Sequence, residues 1–329
     1  MLKSYLTNLC QRTVASSTVS SARLVDIGVP QGSVLGPLFF LVYIDDLADS
    51  LKNSEASLFA DDTAMYCTAS TAAELQRKLN EDLALVNDWL TTHKLTLNVS
   101  KTKLMIIAGR QRLAHVEEIE LVVNEDTIEQ TDSFKYLGVK LNETMDWSDH
   151  IDYIQSKVAK RLGLLKRVKH LLPVKSREIM YNTMIQPILD YGDIVWGDRF
   201  NETQMDRLQV LQNKAAKIIL NQSMYSSSSS ALASLGWKTL KVRRRFHRSL
   251  FVFKGLQQIS DFNFNLTSRS SIHEYNTRSS SEFVTPKYTT NWGQSKSDYL
   301  FVKEFNSLPS TIKHSNSVSS FIRNYISQS

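Results

Sequence analysis

Two adjacent acids, Asp61 and Asp62, stand between two short, mostly apolar runs, residues 57–60 and 63–67. Short runs on either side of a polar break predict a tight β-hairpin with the break at its tip. The tip then carries two carboxylates, which point outward toward solvent or a cleft rather than into a core. Magnesium prefers carboxylate oxygens and completes its shell with waters and substrate phosphates. Asp61 and Asp62 are therefore candidate metal ligands on a rigid support. Alone, the pattern is weak evidence, since two acids in a turn are commonly just turn chemistry.

The surrounding pattern mixes helix and strand. Residues 12–16 and 23–27 are strand-like and predict a hairpin. Gly28-Val29-Pro30-Gln31-Gly32-Ser33 is punctuated as a loop. A helix is expected over 35–51, with Pro37 in its first turn, where the missing N–H costs nothing. It is apolar almost all round, so burial is expected. Asp45-Asp46 reads as its solvated end. Leu75, Leu79, Leu83, Val86 and Leu90 recur at helical spacing over 71–91. Strand-like stretches follow at 95–99 and 104–107, with Ser100-Lys101-Thr102-Lys103 between them. A hairpin at 119–129 and a strand at 134–141 come next.

After Trp147 the period becomes helical. Ile151, Ile154, Val158, Leu162 and Leu165 form a stripe, with Lys157, Lys160, Arg161 and Lys166 largely off it. Further helices are expected at 175–195, broken near Pro187, and at 202–220. The serine run 226–230 reads as a linker. A basic helix at 238–254 and short apolar patterns at 299–308 and 321–326 close the chain.

Charge is unevenly spread. Residues 151–260 hold 19 Lys/Arg against 7 Asp/Glu, while the whole chain has a formal charge of +6. That asymmetry fits a polyanion-binding region beside an acidic one, or simply solvated helix faces. Arg243-Arg244-Arg245 is open to both readings. Two distant cysteines, Cys10 and Cys67, exclude a disulfide framework and a cysteine-based zinc module. No zinc site is expected. No apolar run is long enough for a membrane span, and the start lacks a secretory signal, so an intracellular protein without membrane contact is expected.

The motifs together resemble the reverse transcriptases of non-LTR (LINE-type, jockey/CR1-like) retrotransposons. Val29-Pro30-Gln31-Gly32-Ser33-Val34-Leu35-Gly36-Pro37-Leu38, followed by Phe59-Ala60-Asp61-Asp62, carries most of the likeness. Leu97-Asn98-Val99-Ser100-Lys101-Thr102-Lys103 resembles the next motif of that family. Phe134-Lys135-Tyr136-Leu137-Gly138-Val139 resembles its primer grip. Gln212-Asn213-Lys214-Ala215 resembles part of the thumb, and Phe305-Asn306-Ser307-Leu308-Pro309 the family's C-terminal end.

The resemblance implies an α+β fold: a polymerase palm with a ferredoxin-like sheet and helices, a helical thumb, and a mostly helical or irregular extension. The expected boundaries are 1–140, 141–225 and 226–329. It implies RNA-directed DNA polymerisation by two-metal nucleotidyl transfer, with Mg2+ or Mn2+ held by Asp61 and Asp62. Lys101 would act on the leaving pyrophosphate. Pro30, Gln31, Gly32 and Ser33 would line the nucleotide and template. Tyr136, Leu137 and Gly138 would hold the primer end. The implied partners are an RNA template, a DNA primer and deoxynucleotide triphosphates; oligomeric state stays open.

The likeness also implies a further metal-binding aspartate upstream of the Gly-rich loop. Asp26 is the only acid among residues 1–27 and stands too close to the loop to match it. The expectation is thus an incomplete palm, lacking fingers, that is inactive alone. Completion by another segment or chain, and a non-catalytic nucleic-acid-binding remnant, are the alternatives.

Overall fold

A computed structural model describes residues 5–7, 9–25, 28–29, 32–198, 202–260, 266–271 and 282–328. The chain forms two compact units, Met1–Asp132 and Ser133–Ser329. The fold is mixed helix and strand, an α+β arrangement. Among the described residues every sheet is two-stranded, so no larger palm-like sheet is assembled from them.

In the first unit, helix α1 (Gly36–Ile44) runs into a 3-10 turn, Asp45–Ser50. The expected single helix therefore tightens at Asp45, whose side chain and that of Asp46 are exposed. Strands β1 (Glu55–Phe59) and β2 (Asp62–Tyr66) pair antiparallel. Helix α2 (Ala72–Thr92) follows. The Thr71 side chain accepts from the Glu74 N–H at 3.2 Å and satisfies a donor the first turn leaves free. Leu79, Leu83, Val86 and Leu90 of the leucine stripe are buried on it, as the spacing predicts. Its N-terminal half packs on Leu104, Ile119, Leu121, Val123 and Ile128. Its C-terminal half packs on Ile44 and Leu47.

Three expectations fail in this unit. Helix α1 is not buried all round: Leu38, Leu41 and Val42 are exposed, Val42 at 70%. Only the face carrying Phe40 and Ile44 packs against α2. The stretch 95–99 is not a strand. It ends instead in a turn where Asn98 accepts from the Lys101 and Thr102 N–H groups. The strand expected over 104–107 shortens to Lys103–Leu104, which pairs in parallel with Glu129–Gln130.

In the second unit, β3 (Ser133–Tyr136) and β4 (Val139–Asn142) form a hairpin where one continuous strand was expected. Helix α3 (Ser148–Val168) buries the whole predicted stripe, with Ile151, Val158 and Leu165 fully inaccessible. Asp146 opens it by accepting from the Ser148 N–H (3.0 Å) and hydroxyl (2.6 Å). The region around Pro187 breaks as expected into Val174–Met184, Gln186–Asp190 and Asp193–Trp196. Helix α4 (Glu202–Ile219) packs beside α3 through Leu208, Leu211 and Ala215.

The serine run read as a linker is helical from Ser228 to Ser234, with the Ser227 side chain accepting from the Ser230 N–H. Ala231 and Leu232 of that helix are buried against Ala216, which favours order over a flexible tether. Helix α5 (Leu240–Leu256) joins α6 (Ser297–Asn306) and α7 (Val318–Gln328) in a second core of Val252, Phe253, Phe301, Phe305 and Phe321. Among the described residues, no helix is long and apolar enough to cross a membrane.

Candidate functional site

The acid pair sits at the tip of the β1–β2 hairpin. The register runs from Glu55↔Tyr66 to Phe59↔Asp62, which leaves Ala60 and Asp61 as a two-residue loop. Ala60 has φ +53°, while Asp61 has no positive φ. That sign pattern is the II′ type, in which glycine normally takes the first loop position. Leu58 and Met65 anchor the hairpin on the core formed by Ile44, Leu47, Val86 and Leu90. At its far end the Tyr66 hydroxyl donates to Glu55 Oε2 at 2.9 Å.

Asp61 and Asp62 are both exposed. Neither carboxylate makes a hydrogen bond or ion pair with another described residue. Their acceptor oxygens are thus available on a supported turn. A hard cation held through one or two carboxylates, with its other positions left to water or phosphate, fits this donor set.

The Gly-rich loop is only partly within view: Pro30 and Gln31 lie outside the described residues. Gly32 has φ +80° and would meet no atom within 4 Å of an added Cβ. Glycine is required there by the backbone, and its outer face is open. Ser33 is committed locally. Its hydroxyl accepts from the Gly36 N–H at 3.0 Å, at the start of α1, and from the Tyr5 hydroxyl.

Lys101 is exposed in the turn after Asn98, and its backbone N–H donates to Asn98 Oδ1 at 3.2 Å. No hydrogen bond or ion pair joins it to Asp61 or Asp62. The neighbouring Lys103 is paired with Glu129 at 2.6 Å.

The Tyr136-Leu137-Gly138 motif is a turn. Tyr136 pairs with Val139, and Leu137 and Gly138 form the loop with φ +45° and +84°. Both positive angles match a I′ turn. The Tyr191 hydroxyl donates to the Leu137 carbonyl at 2.7 Å. The buried Tyr136 hydroxyl has no partner among the described residues. Tyr191 had no signal in the sequence beyond its place between Asp190 and Gly192.

The arginine run resolves into ion pairs. Arg243 clamps Asp190 through Nε (2.8 Å) and Nη2 (2.6 Å). Arg244, 4% exposed, clamps Asp198 in the same two-pronged way. Arg248, 1% exposed, holds Glu304 at 2.6 and 2.8 Å and reaches Asp198 at 3.0 Å. Arg243, still partly exposed, and Arg244, buried, thus commit their guanidinium groups to carboxylates of this chain and fasten α5. Arg245 donates to Ser307. Asp190, Asp193 and His247 also bring ligand atoms within 4.8 Å of one another. Their atoms are already engaged, Asp190 by Arg243 and Asp193 by His247 Nδ1 at 2.6 Å. Burial raises the Asp193 carboxyl, and His247 only partly offsets that.

Residues 1–141 match the family described as reverse transcriptase (RNA-dependent DNA polymerase). Over this segment the chain is similar to reverse transcriptases. The chain is 27% identical to the probable RNA-directed DNA polymerase from transposon BS of Drosophila melanogaster, over 76% of this chain and 28% of that protein. It is 23% identical to the RNA-directed DNA polymerase from mobile element jockey of Drosophila funebris, over 76% of this chain and 28% of that protein. Over 43% of the chain it is 31% identical to the Retrovirus-related Pol polyprotein from type-1 retrotransposable element R1 2 of Nasonia vitripennis, covering 35% of it. The likeness to non-LTR retrotransposon polymerases, read from the motifs, is borne out. The chain spans only 28% of the length of the transposon BS and Drosophila funebris jockey relatives. Divalent metal ions are general to the family.

Proposed function

We propose that this chain contributes the Asp61-Asp62 catalytic hairpin of an RNA-directed DNA polymerase from a non-LTR retrotransposon. The observation that carries the reading is the exposed carboxylate pair at a supported turn, unpaired among the described residues, within a segment similar to reverse transcriptases. Asp61 and Asp62 would hold Mg2+, which supplies activation of the primer 3′-hydroxyl and neutralises triphosphate charge. Gly32, whose open face lets a base pair approach the backbone, would line the nucleotide and template with Pro30, Gln31 and Ser33. Ser33 would do so through its backbone, since its hydroxyl is already engaged at the start of α1. Lys101, exposed and without a carboxylate partner among the described residues, would steady the charge on the leaving pyrophosphate or protonate it. Tyr136, Leu137 and Gly138 would hold the primer end. The exposed cations of α3 would follow the nucleic-acid backbone without reading sequence.

The test is extension of a DNA primer annealed to an RNA template, with deoxynucleotide triphosphates and Mg2+, by the full chain. Extension abolished by Asp61→Ala supports the reading; extension unchanged by it sinks the assignment. A second reading, nucleic-acid binding without catalysis, is favoured by Lys160 and Lys166, which stand exposed beside the buried stripe of α3. Salt-sensitive binding that survives Asp61→Ala, with no extension by the wild-type chain, would select it.

A further inference from the structure

The Leu137-Gly138 turn carries a backbone cost at its first position. A I′ turn needs positive φ at both central residues, which Asn, Asp and Gly accept and a longer side chain resists. Leu137 nevertheless sits at φ +45°. The twist of the β3–β4 hairpin favours the turn, and the leucine opposes it. Two opposing preferences leave the outcome to whatever else holds the loop.

Tyr136, inside the motif, does not hold it through its hydroxyl, which is buried and has no partner among the described residues. The contact comes from Tyr191, 54 residues beyond Leu137, whose hydroxyl donates to the Leu137 carbonyl at 2.7 Å. Tyr191 is itself fixed. Its N–H donates to the Pro187 carbonyl at 3.0 Å, and its own carbonyl accepts from Nε1 of the buried Trp196 at 2.9 Å. Asp190 beside it is clamped by Arg243. Gly192, at φ +62°, brings this backbone close to β4: a Cβ there would stand 3.4 Å from Val139 Cγ2. All these residues lie in the second unit.

The Tyr191 ring is 56% exposed. It therefore buries little apolar area, and its hydroxyl could bond water instead, so its contribution to stability is small. A bond that adds little to the fold, aimed at a carbonyl of a strained loop, is suited to choosing that loop's conformation. We infer that Tyr191 is a positioning residue: through its hydroxyl it holds the Leu137-Gly138 turn in the shape that receives the primer 3′ end. This role rests on the primer-grip reading above. Tyr191 acts through the turn, not on the primer. Without the bond other turn shapes become populated, and affinity for the primer end falls with the fraction that keeps the right one.

The experiment compares binding of the full chain to two fluorescent duplexes, without nucleotides or divalent metal. One is a DNA primer–RNA template duplex with a recessed primer 3′ end; the other is a blunt duplex of equal paired length. The ratio of the two affinities separates recognition of the primer end from general attraction to the backbone. Wild type should favour the recessed end. Tyr191→Phe should lower that preference about threefold or more, with blunt-duplex affinity unchanged. Tyr181→Phe is the control, because it removes a buried hydrogen bond of the same unit, made at 2.7 Å to Gln186 and not to the turn. It should lower the melting temperature at least as much and leave the preference intact. The amide NMR signals of Leu137 and Gly138 should shift in Tyr191→Phe and stay in place in Tyr181→Phe. A preference kept in Tyr191→Phe, or lost equally in Tyr181→Phe, would overturn the inference and leave the primer-grip reading standing. No preference in the wild type would instead remove the primer-grip reading, and this role with it.

Discussion

The Tyr191 ring closes over the Leu137-Gly138 turn: its hydroxyl donates to the Leu137 carbonyl at 2.7 Å, and a Cβ on Gly138 would stand 3.1 Å from the ring. Two requirements thus fall on one glycine, a φ of +84° and the absence of a side chain. Gly138→Ala should destabilise the second unit by about 1–3 kcal/mol. Tyr191→Phe, which removes only the hydrogen bond, should cost about 1 kcal/mol. Because the clash needs the ring, Gly138→Ala should cost less in a Tyr191→Ala background. Urea unfolding of the four proteins checks that coupling; strictly additive costs would contradict it.

Asp198, Arg244, Arg248 and Glu304 form a nearly dry ion network that ties α5 to α6. Removing one member leaves its partners buried without a counter-charge. Arg248→Met should therefore cost about 3–5 kcal/mol, far more than loss of a surface pair. Burial alone would raise the Asp198 carboxyl, but Arg244 and Arg248 outweigh it and hold the group below its ordinary value. A carboxyl lowered in the folded state stabilises above its unfolded pKa and loses that contribution as pH falls through the folded one. Asp198→Asn should thus flatten the acid limb of the stability–pH curve and lower its neutral plateau.

These partnerships mark where the sequence stops being informative. The stripe from Ile151 to Leu165 was legible because helical burial repeats every three or four residues. The Asp61-Asp62 tip was legible because two acids interrupt apolar runs. Arg243 and Arg244 were not: their carboxylates lie 53 and 46 residues away, and no local period announces a distant partner. The Leu137-Gly138 turn was hidden because apolar residues continue on both sides of it, Phe134, Tyr136 and Leu137 before Gly138 and Val139 and Leu141 after, so the stretch reads as one strand. Serines 228–230 read as flexible by composition, whereas the burial of Ala231 and Leu232 decides for helix.

Asp82 is a second carboxylate that periodicity could not assign. It is fully buried on α2 and accepts from the Lys52 and Asn53 N–H groups at 3.0 Å. Burial opposes its charge, yet these hydrogen bonds keep its pKa lowered. It fastens the segment that leads into β1. Asp82→Ala should cost about 2–4 kcal/mol by stranding those donors. The loss should be largest near neutral pH and shrink as the wild-type carboxyl itself protonates in acid. Chemical denaturation at two pH values measures this; an equal cost at both would mean the charge contributes nothing.

Asp61 and Asp62 present the opposite case, since neither carboxylate is paired with any described residue. Asp61→Ala and Asp62→Ala should each leave stability within about 0.5 kcal/mol of wild type. Ala60→Gly should raise it by about 1 kcal/mol, because φ +53° strains alanine and not glycine. If the pair holds Mg2+ for nucleotidyl transfer, both alanine substitutions remove primer extension while the melting temperature stays fixed. Ala60→Gly would lower extension at unchanged or raised melting temperature, because a looser turn positions the acids less well. The decisive measurement is activity against melting temperature across the three variants. A joint fall of both for Asp61→Ala would make the acids structural and remove the basis for a metal site at this turn.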